Sequence, residues 1–207
     1  GFNAGSTVSV DAAFFGYVAL NTALAAGAGA VAATFISWVA LGKSDIPTIL
    51  NGALAGLVAI TASCAFVDVW ASVVIGLIAG VLVFYSARFF EKRKIDDPIY
   101  ALSVHGTAGI WGTLSTGFFA TTELATTGKP GLFYGGGVDQ LLVQLMGVAA
   151  CGAFAFAVSY AILFIMKKVM GGIRVTEEEE IMGLDMSEHG NYGYPEQMVL
   201  EEAKGTN

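Results

Sequence analysis

Charge is what this sequence has least of. Asp, Glu, Lys and Arg make up 13% of its 207 residues, against about a quarter in ordinary globular chains. Five stretches carry none at all: Ala12 to Gly42, Ile46 to Val67, Val69 to Ala87, Pro98 to Thr122, and Gln140 to Met166. A chain of this size cannot hide five uncharged helices from water, which argues against a soluble fold. No Lys lies in those stretches, so a retinal Schiff base has no attachment point. No Asp or Glu lies there either, which removes the groups that an intramembrane aspartyl protease or a carboxylate-coupled pump requires. Ser115 and His105 stand ten residues apart, about 15 Å along a helix, too far for a serine–histidine pair. Nothing here supports an enzyme. Cysteine is also scarce: Cys64 and Cys151 each sit in an apolar stretch, giving neither a disulfide framework nor a metal spacing. No metal or other cofactor is expected. The opening GFNAGSTVSVD lacks the basic region of a secretory signal.

What is present is a set of bilayer-length segments. The uncharged stretches run to 31, 22, 19, 25 and 27 residues, and a hydrocarbon core of about 30 Å takes roughly 20 helical residues. The expected fold is therefore an all-α polytopic membrane bundle with spans at about 11–42, 46–67, 69–91, 97–120 and 138–168 in a transmembrane domain of residues 1–170, followed by a tail over 171–207. Gly171 and Gly172 are placed to end the last helix. Lys43, Arg88, Lys92, Arg93, Lys94, Lys167, Lys168, Arg174 and Lys204 all fall on one side of this topology, and only Lys129 on the other. The positive-inside rule then sets the amino end outside and the tail in the cytoplasm, in the cell's cytoplasmic membrane. The formal charge of −7 belongs to the tail, since nine of the seventeen acids lie beyond Arg174. No nucleic-acid partner is expected. The tail has two readings, a solvated segment or one docked through MGLD and the NYGYP aromatics.

Apolar surface does not by itself associate helices in lipid, so small residues that allow close backbone approach matter. Gly52 and Gly56 form one such face, Gly76 and Gly80 a second, and Gly106, Gly109 and Gly112 a row in the fourth span. Asn21, Thr22, Asn51, Thr61, His105 and Gln144 are the notable polar side chains inside the stretches. His105 lies eight residues after Asp97, about 12 Å along a helix that starts there. Lipid cannot solvate its ring N–H, so it is expected to face the bundle interior or a water-containing path, either as a functional group or as a hydrogen-bonded packing contact. Burial would favour the neutral ring, with one donor and one acceptor.

GFNAGS at 1–6, NGALAGLVAIT at 51–61, DDPIYALSVHGTAGIWGTLSTGFFA at 96–120 and IRVTEEEEIMGLDMSEHGNYGYPE at 173–196 resemble the ammonium transporter (Amt/Mep/Rh) superfamily, in its bacterial or archaeal Amt branch. The resemblance implies an eleven-span fold built from two inverted repeats, of which this chain matches the end of span six, spans seven to eleven and the cytoplasmic tail, so that it forms part of a subunit. It implies a homotrimer with a pore in each subunit. His105 matches one of a pair of pore histidines, Phe2 one of two gating phenylalanines, and Ser6 the hydroxyl of the ammonium-recruiting site. Asp96 and Asp97 match a structural acidic pair, whereas Tyr100 stands where the family often has another acid. Trp111 reads as a packing aromatic. Arg174, Gly183, Asp185 and His189 fall in the tail segment that docks on neighbouring subunits and responds to a PII-type signalling protein.

The function so implied is passage of ammonium or ammonia through a hydrophobic, histidine-lined pore. Ammonium would be collected by cation–π and hydroxyl contacts and would lose its proton before entering, because an intact ion carries a large desolvation cost. Two alternatives stand beside it: an ammonium sensor or PII-recruiting scaffold with little or no transport, and a structural half without activity of its own.

Overall fold

A computed structural model describes residues 1–124, 128–191 and 193. Among them, helix is the only regular element: α1 (Phe2–Gly5), α2 (Ala12–Leu41), α3 (Ile46–Thr61), α4 (Val69–Lys92), a π-helical turn (Leu102–Thr107) that runs directly into α5 (Ala108–Phe119), α6 (Asp139–Val169), α7 (Glu177–Met182) and α8 (Leu184–His189). The fold is all-α, with several apolar helices of membrane-spanning character. Three of them, α2, α4 and α6, are long and apolar enough to cross a bilayer, and α3 is a shorter apolar helix. The chain divides into two units, Gly1–Gly152 and Ala153–Asn207.

Each helix of the first unit starts and stops for a local reason. Asp11 caps α2 by accepting from the Ala13 amide at 2.9 Å, and Gly42, in the left-handed region at φ +73°, closes it with an N–H donated to the Trp38 carbonyl. Asp45 caps α3 by accepting from the Thr48 amide at 3.0 Å and hydroxyl at 2.6 Å. The Thr48 hydroxyl and then its amide hold the Asp45 carboxyl below the usual carboxylate range. At its far end α3 stops at Thr61, although the uncharged stretch continues to Val67. The intervening residues form turns, and the Thr121 amide donates to the Phe66 carbonyl at 2.9 Å beside an isolated bridge between Val67 and Ala120. This tie joins the end of α3 to the end of α5.

The core is a seam along α2. Its buried residues include Val18, Asn21, Ala25, Ala28, Gly29, Ala32 and Ala33, and α3 and α4 lie against them. A Cβ added to Gly56 of α3 or to Gly76 of α4 would sit 2.2 Å from the Ala25 carbonyl oxygen, and one added to Gly29 would sit 2.3 Å from the Gly52 oxygen. Three backbones therefore meet with no room for a side chain, the arrangement that small residues make possible in lipid. The two GxxxG faces of α3 and α4 both converge on α2. Gly112 does the same between α5 and Ala59 of α3, at 2.4 Å from its oxygen.

Polar groups lock the seam. Fully buried Asn21 donates from Nδ2 to the carbonyls of Cys64 (2.9 Å) and Val67 (3.1 Å), and the Tyr17 hydroxyl donates to Val67 as well (2.8 Å). Trp111 Nε1 donates to the Ile75 carbonyl at 3.1 Å, tying α5 to α4. Where α4 begins and α5 ends, Trp70, Phe118, Phe119 and Phe133 form a ring cluster with centroids 5.2 to 5.8 Å apart along Trp70–Phe119, Phe119–Phe133 and Phe118–Phe133. The Tyr134 hydroxyl donates to the Asp68 carboxylate beside it, and burial together with that carboxylate pushes the phenol up.

In the second unit the chain leaves the helical path after Val169 through Gly171 (φ +72°) and Gly172. Helix α7 opens with a capping box. The Thr176 hydroxyl accepts from the Glu179 amide while Glu179 accepts from the Thr176 amide at 2.8 Å. These bonds, backbone first, hold the Glu179 carboxyl below its ordinary value. Gly183 (φ +95°) makes the corner between α7 and α8. Residues 192 and 194–207, including the later part of the expected docking segment, lie outside the described residues.

Candidate functional site

Four elements of the first unit surround an open cleft of about 610 Å³. Helix α1 contributes Phe2 and Asn3, α2 contributes Thr22, α3 contributes Leu57, Val58 and Thr61, and the α5 segment contributes His105, Gly109 and Thr113. The geometry thus brings Phe2 and His105, 103 residues apart in sequence (105 − 2), onto one surface. Among the described residues, no Asp, Glu, Lys or Arg side chain lines it.

Phe2 is positioned by its neighbour. Buried Asn3 donates from Nδ2 to the Thr22 hydroxyl at 3.1 Å, and that hydroxyl donates onward to the Val18 carbonyl at 2.7 Å. This pins α1 to α2 and leaves Phe2, 80% exposed, over the cleft. Thr61 and Thr113 donate to the carbonyls of Leu57 (2.7 Å) and Gly109 (3.0 Å) on their own helices. Their hydrogens are committed, so toward the cleft these oxygens act as acceptors. Gly109 keeps the wall open: the nearest atom to a Cβ there would be Val58 Cγ1 at 3.8 Å.

His105 stands differently from the expectation drawn from spacing. The helix does not begin at Asp97. Residues 98–100 form a turn with Tyr100 at φ +58°, and Asp97 accepts from the amides of Leu102 (3.0 Å) and Ser103 (3.2 Å). His105 therefore lies in the π-helical turn at the very start of the helical path, a distortion that recurs at functional sites. Its ring is exposed to the cleft rather than enclosed in this chain, with no hydrogen bond to another described residue. Neighbouring Gly106 faces Leu102 of its own turn (3.1 Å) and Gly112 packs on α3, so the expected row of three glycines serves three different surroundings.

The other expected residues are distributed as follows. Ser6 is exposed, donates to the Phe2 carbonyl at 2.7 Å, and does not line the cleft. Asp97 caps the His105 segment. Asp96 lines a separate hollow of about 450 Å³ at the opposite end of the bundle, with Glu91, Lys94 and Tyr100. In the second unit, Asp185 closes the loop after α8 by accepting from the Gly193 amide at 2.9 Å, Gly183 forms the inter-helix corner, His189 ends α8, and Arg174 is exposed before α7. Asn3 and Thr113 were not singled out from the sequence. Asn3 sits within GFNAGS, but its anchoring role depends on a contact 19 residues away.

An uncharged cleft with a histidine, hydroxyl acceptors and an aromatic at its rim suits a small polar molecule that need not carry charge. The model of the Ammonium Transporter Family matches residues 1–194. The chain belongs to that family. Among curated relatives it is 47% identical over 206 residues to the ammonium transporter Amt2 of Archaeoglobus fulgidus, covering 97% of this chain and 44% of the relative. It is 39% identical to an ammonium transporter of Bacillus subtilis, covering 96% and 48%. Among solved structures it superposes on a protein titled Sensor Amt Protein with TM-score 0.80 and 36% identity (90% of this chain, 45% of that one), and on Candida albicans Mep2 with TM-score 0.77 and 31% identity (86% and 40%). The chain spans less than half the length of these relatives. Membership in this family of membrane transporters agrees with the multi-pass, apolar-helix fold.

Proposed function

We propose that this chain forms one wall of a path that carries ammonium, as ammonia at its narrow part, across the cytoplasmic membrane. The observation that carries the reading is the convergence of Phe2 and His105 on one uncharged cleft in a chain of the ammonium transporter family. Transfer of an intact ion along such a wall would incur a large desolvation cost, whereas a neutral amine can exchange hydrogen bonds with a histidine ring and threonine oxygens. The remaining wall, in this reading, comes from the part of the family fold that the chain does not cover, and it supplies a partner for the exposed His105 ring.

Ser6 belongs to the recruiting end in this reading. Asp97 serves a structural role, supported by its bonds to the amides at the head of the His105 segment. The distribution of basic residues supports an outward amino end and a cytoplasmic tail. Assembly as a homotrimer and engagement of a PII-type protein by Arg174, Gly183, Asp185 and His189 are further parts of the proposal. They are supported by the α7–α8 corner at Gly183, which leaves Ile181, Met182 and Leu184 exposed. Reconstituted in liposomes together with the part of the family fold that completes the path, on a solid-supported membrane, the protein should give a current on an ammonium jump. His105→Ala should reduce that current by at least about tenfold, the equivalent of 1.4 kcal/mol on the barrier. An unchanged current in His105→Ala would defeat the role given to the histidine, and no current in the completed, unmodified assembly would favour a sensor.

A further inference from the structure

The hydroxyl of Ser86, buried on α4, stands 2.7 Å from that of Thr107, the last residue of the π-helical turn that carries His105. Four other threonines within helices, Thr22, Thr34, Thr61 and Thr113, turn back on their own helix and donate to the carbonyl four residues earlier, at 2.7 to 3.0 Å. For Thr107 that carbonyl belongs to Ser103, and in the π-turn it accepts from the Ala108 amide, five residues ahead of it. The Thr107 hydroxyl reaches across to α4 instead. One turn further on, Trp111 Nε1 donates to the Ile75 carbonyl of α4. Ile75 and Ser86, eleven residues apart (86 − 75), lie on one face of that helix. The two bonds therefore clamp one side of the α5 segment to α4, while His105 and Gly109 line the cleft.

The head of the turn is fixed as well. Asp97 accepts from the amides of Leu102 and Ser103 and from the Ser103 hydroxyl at 3.2 Å, and Ser103 is fully buried. A π-turn holds one residue more than the α-helix that would replace it, and each α-helical residue advances about 100° and 1.5 Å. With both ends held, relaxation to α geometry would carry His105 about 100° round the helix, off the face it shares with Gly109 and Thr113. We infer that Ser86 and Thr107 are positioning residues, which hold this register and so aim His105 into the cleft. Neither lines the cleft, and both act through the histidine. Loss of the Ser86 hydroxyl frees that of Thr107 to turn back on the Ser103 carbonyl, the bond that an α-helical register offers. The consequence for transport rests on the reading of the cleft as the path; the consequence for the direction of His105 does not.

The test uses the transporter completed by the rest of the family fold, with its native cysteines replaced by serine and His105→Cys introduced. The readout is modification by methyl methanethiosulfonate, a small neutral thiol reagent. The introduced thiol should react readily. Ser86→Ala or Thr107→Val in that background should each slow the reaction at least about tenfold, and Ser86→Thr, which keeps a hydroxyl, should restore the parent rate. A role in stability alone would loosen the turn and speed the reaction. Equal or faster rates in Ser86→Ala and Thr107→Val would overturn the proposal, and so would an unreactive thiol in the parent. With His105 intact, Ser86→Ala should cut the maximum ammonium current at least about tenfold while leaving the half-saturating concentration unchanged. Slowed labelling with an undiminished current would support the register and count against the path, so the two failures are distinguishable.

Discussion

Helices α2 and α6 are nearly the same length, 30 and 31 residues, and both are apolar enough to cross a bilayer. They are nonetheless used in opposite ways. Helix α2 buries eight residues, among them Asn21, Ala25, Gly29 and Ala33. The part of α6 within the first unit, residues 139–152, buries none, and the part within the second unit stacks Phe156, Tyr160 and Phe164 along one face at 6.2 and 6.4 Å. Hydropathy reports that a helix can lie in a membrane. Residue size reports whether other helices can lie against it. Glycine alone does not decide the matter, since Gly147 of α6 has nothing within 4 Å of a would-be Cβ, whereas Gly29 of α2 meets two backbone residues.

The comparison breaks most readily at Gly56. Gly56→Leu drives a side chain into the Ala25 carbonyl and should cost about 3 kcal/mol or more, whereas Gly147→Leu on α6 should stay within about 0.5 kcal/mol. Thermal melts of the two variants in the same detergent check this, and equal melting temperatures would remove the distinction between the helices. Asn21→Leu comes next. It takes the donor from the Cys64 carbonyl inside the seam, an expected loss of about 2 kcal/mol in the same melts, while Gln144→Leu on α6 should cost less. Trp111→Phe deletes one bond to α4 and should cost about 1 kcal/mol. The smallest effect lies in the tail. Glu179, whose carboxyl is held low by Thr176, stabilises α7 fully above the ordinary glutamate pKa and loses that contribution as the pH falls through its depressed value. Amide protection factors in α7, corrected for the intrinsic pH dependence of exchange, should therefore fall on acidification; Glu179→Gln should abolish the dependence, and Thr176→Ala should only reduce it, because the amide at position 176 still donates to Glu179.

Much of this architecture is legible in the sequence, and the exceptions have physical causes. Helix α2 covers nearly the same residues as the first uncharged stretch because Asp11 and Gly42 are both boundary and cap. The stop at Thr61 is hidden, since the turns that follow it are as apolar as the helix, and their backbone groups are satisfied by Asn21 and Thr121 from distant positions. The late start of the His105 segment is hidden for the same reason. Asp97 looks like the first residue of a span, yet it accepts from amides five and six residues ahead, and Tyr100 takes a left-handed backbone that no local rule demands. The GxxxG pairs of α3 and α4 are visible as spacing. That both close on α2 is not, because a spacing names a face and not its partner. For the candidate site, sequence singles out His105 and Phe2, and only the fold shows that Asn3 and Thr22 bring them to one cleft.

The claim that this cleft is part of the path is tested most directly at Gly109, where a Cβ fits without contact closer than 3.8 Å. In the transporter completed by the rest of the family fold and with its native cysteines, Cys64 and Cys151 among them, replaced by serine, Gly109→Cys should conduct ammonium after reconstitution. A water-soluble thiol reagent should then cut the ammonium current at least about tenfold, with ammonium slowing the modification. Complete labelling of the introduced cysteine with an undiminished current would place the path elsewhere.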